Sequence, residues 1–368
     1  MTIQELDTPA LLIDVPTVCE NIRFMQDYAT AQGVALRPHT KTHKMPAMAL
    51  LQQAAGAKGI AVAKVGEAEV MAANGLKDIF IANEIVGEHK YRRIQALAEK
   101  GIALSFGLDS IEQAALIEAA FAHAALPAVV LIEIEVGEDR SGIIEEADFL
   151  ALLAYLKGCP HIHFKGIFSH EGHSYAAPSH EACGELFATS QQRTLRFAEL
   201  AAQAGMPCQT VSIGATPSLM HGFPVLKGIT ELRPGTYIFM DASQGNHMGT
   251  HQRCAATVLT TVISRPTATR VITDVGAKGL TMQTRTQGLC ATQGLGMIQG
   301  YNVPVSAVFD EHAIIYNKEF RDAVRVGDKV QIIPNHICPV VNLYEQAYLV
   351  ENDTVLESIP VLCRGKLQ

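Results

Sequence analysis

Short runs of Val, Ile, Leu and Ala recur through the first two thirds of the chain, each followed by a longer amphipathic stretch. Eight of these runs read as buried strands: residues 9–15 (PALLIDV), 33–38 (GVALRP), 59–65 (GIAVAKV), 78–83 (DIFIAN), 103–108 (ALSFGL), 128–137 (AVVLIEIEVG), 163–170 (HFKGIFSH) and 209–214 (QTVSIG). Strands that are apolar on both faces and separated by helix-length segments build a parallel sheet covered on both sides. Eight such units fit a closed (β/α)8 barrel of the TIM type; an open doubly wound sheet is the alternative. Gly33, Gly75, Gly158 and Gly205 each close an amphipathic stretch, the position of a helix-terminating glycine.

After LRPGTYIFMD (232–241) the texture changes. From residue 254 onward, β-branched and alternating runs such as CAATVLTTVISRP and DKVQIIPNHICPVVNLY dominate, punctuated by Gly, Pro and Asn-Asp. They predict a second, all-β domain. The expected division is residues 1–248 for the barrel and 249–368 for the β domain.

A net charge of −8 argues against a nucleic-acid footprint or an anionic membrane partner. No run of apolar residues is long enough to span a bilayer, and the N-terminus is acidic where an export signal is basic. The eight cysteines lack any CxxC pair, so they read as buried thiols in a reducing, cytoplasmic setting rather than as a disulfide framework.

Titratable groups collect where strands end. In a barrel, residues just past the C-terminal end of a strand face the active site. HTKTHK (39–44) follows the strand VALRP, so Lys41 can enter the mouth, where a desolvated lysine near other cations keeps a neutral, nucleophilic amine. A solvated loop is the alternative. SHEGHSY (169–175) ends another strand and offers His170 and His173 as catalytic or substrate-binding groups. Arg140, in EVGEDRSG (135–142), is poised at the same mouth, unless it simply pairs with Glu138 or Asp139.

SIGATPS (212–218) and RPGTY (233–237) offer glycine N–H groups and hydroxyls suited to phosphate, or serve only as turns. In NHICP (335–339), His336 and Cys338 are two apart on a strand-like segment, which would put both on one face as an open metal pair. A buried Cys beside an incidental His is the alternative.

Together these stretches resemble the fold-type III pyridoxal 5'-phosphate (PLP) enzymes, in the branch of D-threonine aldolases and eukaryotic-type D-serine dehydratases with an alanine racemase-like N-terminal barrel. The resemblance runs from LDTPALLIDV near residue 6 to PNHICPVVNLYE near residue 345, with RPHTKTHK as its most specific element. It implies that Lys41 carries PLP and that Arg140 lies near the cofactor's phenolic oxygen. The phosphate loops would contribute Ser212, Gly214, Thr216, Gly235, Thr236 and Tyr237. His336 and Cys338 would hold a divalent metal, zinc in preference to manganese or magnesium, since a thiolate suits a thiophilic ion. Members of the branch are homodimers.

The implied substrate is a D-β-hydroxy-α-amino acid. A dehydratase acting on D-serine, D-threonine or D-3-hydroxyaspartate releases ammonia and a 2-oxo acid, whereas an aldolase cleaves Cα–Cβ to glycine and an aldehyde. Dehydratases in the branch pair His with Cys at the metal and aldolases tend to carry Asp there, so Cys338 and the GHSY segment favour the dehydratase. HEGH matches no single member's wording, which leaves the base unassigned between His170 and His173. An amino-acid racemase would need a tyrosine base from the β domain, with Tyr301, Tyr316 and Tyr344 as candidates. A single-barrel PLP-binding protein would lack residues 254–368.

Overall fold

Strand β1 (Ala10–Asp14) does not open the barrel, although its apolar run suggested that it would. It is inserted in a second sheet, antiparallel to β10 (Ala256–Ser264) and parallel to Gln346–Glu351, with Leu12 opposite both Thr257 and Tyr348. Leu11, Leu12 and Ile13 are buried, and a strand apolar on both faces carries no mark of which sheet it will join. The Asp14 carboxylate then accepts from Thr17 N–H at 3.0 Å, which caps the helix Val15–Ala31 and turns the chain into the barrel.

The computed structural model describes residues 1–368. Its barrel is built from β2 (Ala35–Leu36), β3 (Ile60–Val62), β4 (Asp78–Glu84), β5 (Ala103–Leu108), β6 (Ala128–Ile134), β7 (Ile162–Ser169), β8 (Thr210–Ile213) and β9 (Glu231–Leu232), all parallel. The order is β2-β9-β8-β7-β6-β5-β4-β3. Bonds from Lys58 N to Leu36 O (2.9 Å), Ala61 N to Pro38 O (2.8 Å) and Thr40 N to Ala61 O (2.8 Å) join β2 to β3 and close the ring. The eighth strand is thus β9, only two residues long, where hydrophobic periodicity cannot register. Gly33, Gly75 and Gly205 follow their helices with φ of 70°, 99° and 73°, whereas Gly158 has no positive φ.

The second sheet gathers short strands from the C-terminal third around β1 and β10. One apolar core joins the two layers, running from Val62, Phe106 and Ile167 in the barrel to Val258, Ile315 and Ile332 beyond it. All eight cysteines are free thiols, five of them buried. No helix is long and apolar enough to cross a membrane.

Candidate active site

The motif HTKTHK distributes its four nitrogen side chains over four environments. The Lys44 N–H donates to Thr40 O at 2.8 Å, so residues 40–44 form a single turn, and Lys44 takes a left-handed φ of 56°. His43 is fully buried, bonded through Nε2 to Gln52 Oε1 at 3.2 Å and accepting from Met45 N–H at Nδ1. Lys44 pairs with the buried Glu67 at 2.6 Å. His39 accepts from Lys41 N–H at 3.3 Å. Only the Lys41 amine, half-buried at the barrel mouth, has neither a hydrogen bond nor an ion pair. Burial holds it below the ordinary ammonium range; Cys338 opposes that effect and Arg140 reinforces it.

Two loops interlock beside Lys41. The Glu135 carboxylate accepts from Gly137 N–H (2.7 Å) and Asp139 N–H (3.0 Å), folding EVGED into a turn that extends Glu138 toward β7. Glu138 Oε2 lies 2.8 Å from His170 Nδ1, and a Cβ on Gly172 would overlap the same carboxylate. The glycine of HEGH is therefore a requirement of this contact. His170 titrates below the usual imidazole range because it is buried, with Glu138 pulling upward. Arg140, half exposed, pairs with Glu133 at 3.4 Å and Glu138 at 3.3 Å, and makes no pair with Asp139. His173 lies apart from these pairs: its ring packs on Gly137 and its Nδ1 is buried without a partner.

The loops after β8 and β9 divide into interior and mouth. Ser212 donates to Glu231 at 2.8 Å, and Glu231 holds Arg37 at 2.8 Å, so the Ser212 hydroxyl is committed inside the barrel. The Tyr237 hydroxyl accepts from Gln52 at 2.8 Å and is likewise interior. Gly214 packs on the Arg233 backbone, where a Cβ would stand 2.9 Å from its N and C atoms. Thr216 opens the helix Thr216–Met220 with its hydroxyl buried and unpartnered. Gly235 packs on the Lys41 turn, a Cβ there standing 3.0 Å from Thr42 Oγ1, and Thr236 Oγ1 is 3.7 Å from Cys338 Sγ. An unpaired lysine amine, a neighbouring arginine and an orphaned hydroxyl fit a phosphorylated aldehyde cofactor.

His336 and Cys338 do not lie on a strand. His336 is the extended N-cap residue (φ −141°, ψ 109°) of the helix Ile337–Val341, and Cys338 sits in its first turn. A helix starts here because the buried Asp241 carboxylate accepts from Ile337 N–H at 3.1 Å, while Pro339 suits a first turn that leaves N–H groups unpaired. The same-face argument from strand geometry therefore fails. His336 Nδ1 bonds to Gln283 Oε1 at 2.9 Å, which orients the ring and leaves Nε2 for a ligand.

Cys338 is half-buried, 3.2 Å from Thr42 Oγ1. Burial pushes Asp241 up to about 6 and holds His336 below the usual imidazole range, with Asp241 pulling it upward and Arg285 and Lys41 pushing it further down. No three His, Cys, Asp or Glu side chains converge as a metal cluster, so the protein offers one imidazole and one thiol. That donor set fits a thiophilic ion whose other positions are open to substrate oxygen or water.

Asp241, Gln283 and Arg285 were not signalled by any motif, and Tyr175 only closes SHEGHSY. Arg285 Cζ stands over the Tyr175 ring, 4.1 Å from its centroid. The tyrosines considered for a racemase lie elsewhere: Tyr301 and Tyr316 are exposed, and Tyr344 donates to Gly279 O at 3.1 Å.

Comparisons with known proteins agree with this geometry. The alanine racemase N-terminal domain family matches residues 13–243, and a D-serine dehydratase-like domain matches residues 255–350. A D-threonine aldolase from Arthrobacter sp is 31% identical over 364 residues, covering 98% of this chain and 93% of that one. D-threo-3-hydroxyaspartate dehydratase from Delftia sp. HT23 is 33% identical over 354 residues, 92% of each chain, and its solved structure superposes with a TM-score of 0.91 over 98% of both chains. The structure of a D-threonine aldolase from Filomicrobium marinum gives a TM-score of 0.89 at 28% identity, covering 100% of this chain and 98% of that one. The chain belongs to the family of PLP-dependent lyases that unites D-threonine aldolases with D-serine dehydratases on an alanine racemase-like barrel.

Proposed function

We propose that this lyase of D-β-hydroxy-α-amino acids is a dehydratase, releasing ammonia and a 2-oxo acid. The observation that carries the reading is Cys338, in the helix that His336 caps, whose thiol stands 3.2 Å from the threonine next to Lys41. An imidazole and a thiolate suit zinc, and manganese or magnesium less well. The metal, when bound, supplies Lewis acidity toward the substrate's β-hydroxyl, which favours its departure. PLP, when bound, supplies the electron sink.

The chain's own residues do the rest. Lys41, the one amine of its motif without a partner, holds the cofactor and takes the α-proton. Arg140 and the backbone of the Gly214 and Gly235 loops hold the anionic ends of the cofactor, together with Thr216 and Thr236. Ser212 and Tyr237 support those loops from inside the barrel rather than reaching the cofactor with their hydroxyls. His170, fixed by Glu138, handles the proton of the β-hydroxyl, and His173 shapes the loop that carries it. The same His170–Glu138 pair could instead draw that proton to start retro-aldol cleavage, which makes the aldolase the second reading. A cytoplasmic homodimer is the assembly proposed.

Enzyme loaded with PLP and zinc and offered D-threonine decides between the two. 2-Oxobutanoate with ammonia supports the dehydratase. Glycine with acetaldehyde would replace it by the aldolase and void the inference from Cys338. In Lys41→Ala the visible absorbance of lysine-bound cofactor should vanish while the fold survives.

A further inference from the structure

Apart from Lys41, Arg285 is the one cation near this cleft whose charge nothing in the chain answers. None of the ion pairs uses it, its guanidinium makes no hydrogen bond, and its Nε is buried without a partner. By contrast Arg140 already pairs with Glu133 and Glu138, Arg37 with Asp78 and Glu231, and Arg233 donates to Ser169 O. A buried donor left unmade costs free energy, and in a chain of net charge −8 an acidic partner would be easy to supply.

The side chain is nevertheless held firmly. Arg285 N–H donates to Thr292 Oγ1 at 3.2 Å and Thr292 N–H returns a bond to Arg285 O at 2.8 Å, pinching the base of the loop. Leu289 N–H donates to Ala177 O at 2.8 Å, tying this loop to the segment that carries His170 and Tyr175. The guanidinium carbon then lies over the Tyr175 ring at 4.1 Å, and Gln283, two residues earlier, is the residue that orients His336. Such a fork, stacked and unpaired, is built for the two oxygens of a carboxylate.

We propose that Arg285 binds a second carboxylate of the substrate, carried on Cβ, so that the preferred substrate is a D-3-hydroxy dicarboxylic amino acid of the 3-hydroxyaspartate type rather than D-serine or D-threonine. The side of the cleft decides which carboxylate: Arg285 is linked through Gln283 to His336, which would hold the metal on the side of the oxygen on Cβ, so the group it meets is the other substituent of that carbon. The inference rests on the lyase reading above and narrows its substrate.

Two measurements test it. Turnover compares D-threo-3-hydroxyaspartate with D-threonine in wild type, Arg285→Gln and Arg285→Lys. Calorimetry measures binding of D-malate, a hydroxy dicarboxylate, and D-lactate, its monocarboxylate counterpart, to the PLP-loaded proteins. The expected result is a wild-type preference for the dicarboxylate in both assays. Arg285→Gln should reduce that preference about 30-fold or more, with D-threonine turnover little changed and partial retention in Arg285→Lys. Equal losses on both substrates, or a wild type that prefers D-threonine, would overturn the proposal and leave the lyase reading standing. If no β-hydroxy amino acid is turned over, the lyase reading fails, and the malate titration still decides Arg285: binding unaffected by Arg285→Gln overturns its role, and binding lost with it supports an anion site.

Discussion

The hydroxyl of Thr42 stands 3.2 Å from the thiol of Cys338, across 296 positions of sequence. Thr42 follows Lys41 in the turn after β2, and Cys338 lies in the first turn of a helix beyond the barrel. The contact brings the residue proposed to hold PLP and the residue proposed to hold a metal into one cleft, each on its own element.

Because the two are on separate elements, the metal side should be removable alone. Cys338→Ala is expected to retain PLP and its visible absorbance, to lose bound zinc, and to lose at least about 100-fold in kcat, since a Lewis acid at a leaving oxygen is worth several kcal/mol. Metal content and absorbance measured on one sample check this. Unchanged turnover of wild type in EDTA would remove the metal from the reaction.

Glu138 is expected to set the acid side of the pH profile. Its charge raises the pKa of both His170 and Lys41, against the burial that lowers each. Glu138→Gln removes that pull, so His170, the one of the two left free when Lys41 holds the cofactor, loses its proton at lower pH. The acidic limb of kcat/KM, which reports the free enzyme, should shift down. Gly172→Ala should reproduce the shift, because its new Cβ displaces the flexible Glu138 carboxylate from His170. A limb that stays in place in both variants would remove His170 from the pH dependence.

Barrel, β layer and mouth were legible because fully apolar strands and strand-end clusters leave a periodic trace; β9, at two residues, leaves none. Membership of β1 in the second sheet was hidden by the symmetry of a strand buried on both faces. The lysines of HTKTHK look alike in sequence and differ only through distant partners: Glu67 captures Lys44, and nothing captures Lys41. Arg140 was readable by its position at a strand end, with Glu138 as a possible partner, but its pair with Glu133 needed the fold. The helical start at His336 depended on Asp241, nearly a hundred positions away, so local β-branched texture misled. Arg285 belongs to a loop without periodicity, and its stacking on Tyr175 is a tertiary fact.

Lys44 gives a stability prediction distinct from the chemistry. Its pair with Glu67 is buried, with side-chain exposures of 9% and 2%, and Cys363 N–H bonds to Lys44 O at 3.0 Å, so the turn also anchors the C-terminal segment. Lys44→Met strands a buried carboxylate and should cost about 3–5 kcal/mol in urea unfolding. Lys44→Met combined with Glu67→Met removes both charges and should recover a large part of that loss. A single variant within about 1 kcal/mol of wild type would mean that Glu67 finds water or another cation.

His43 predicts how stability depends on pH. Burial lowers its pKa to about 4 from 6.5, and it is fully enclosed. Its Nδ1 already accepts from Met45 N–H, so a second proton there would face a donor. Between those two values the unfolded chain binds the proton and the folded chain does not. The histidine's contribution is therefore constant above about pH 6.5 and is lost progressively as pH falls toward 4. Glu171, raised to about 7 by burial, and Asp241, raised to about 6, contribute with the opposite sign over part of that window. Total stability against pH is then a mixture, and the informative quantity is the difference between wild type and His43→Gln. That difference should be flat from pH 7 to pH 8.5 and should shrink steadily below pH 6.5, because only wild type has an imidazole to protonate on unfolding. A difference that grows on acidification would mean that His43 is charged in the folded protein, and that its bond to Gln52 holds a cation.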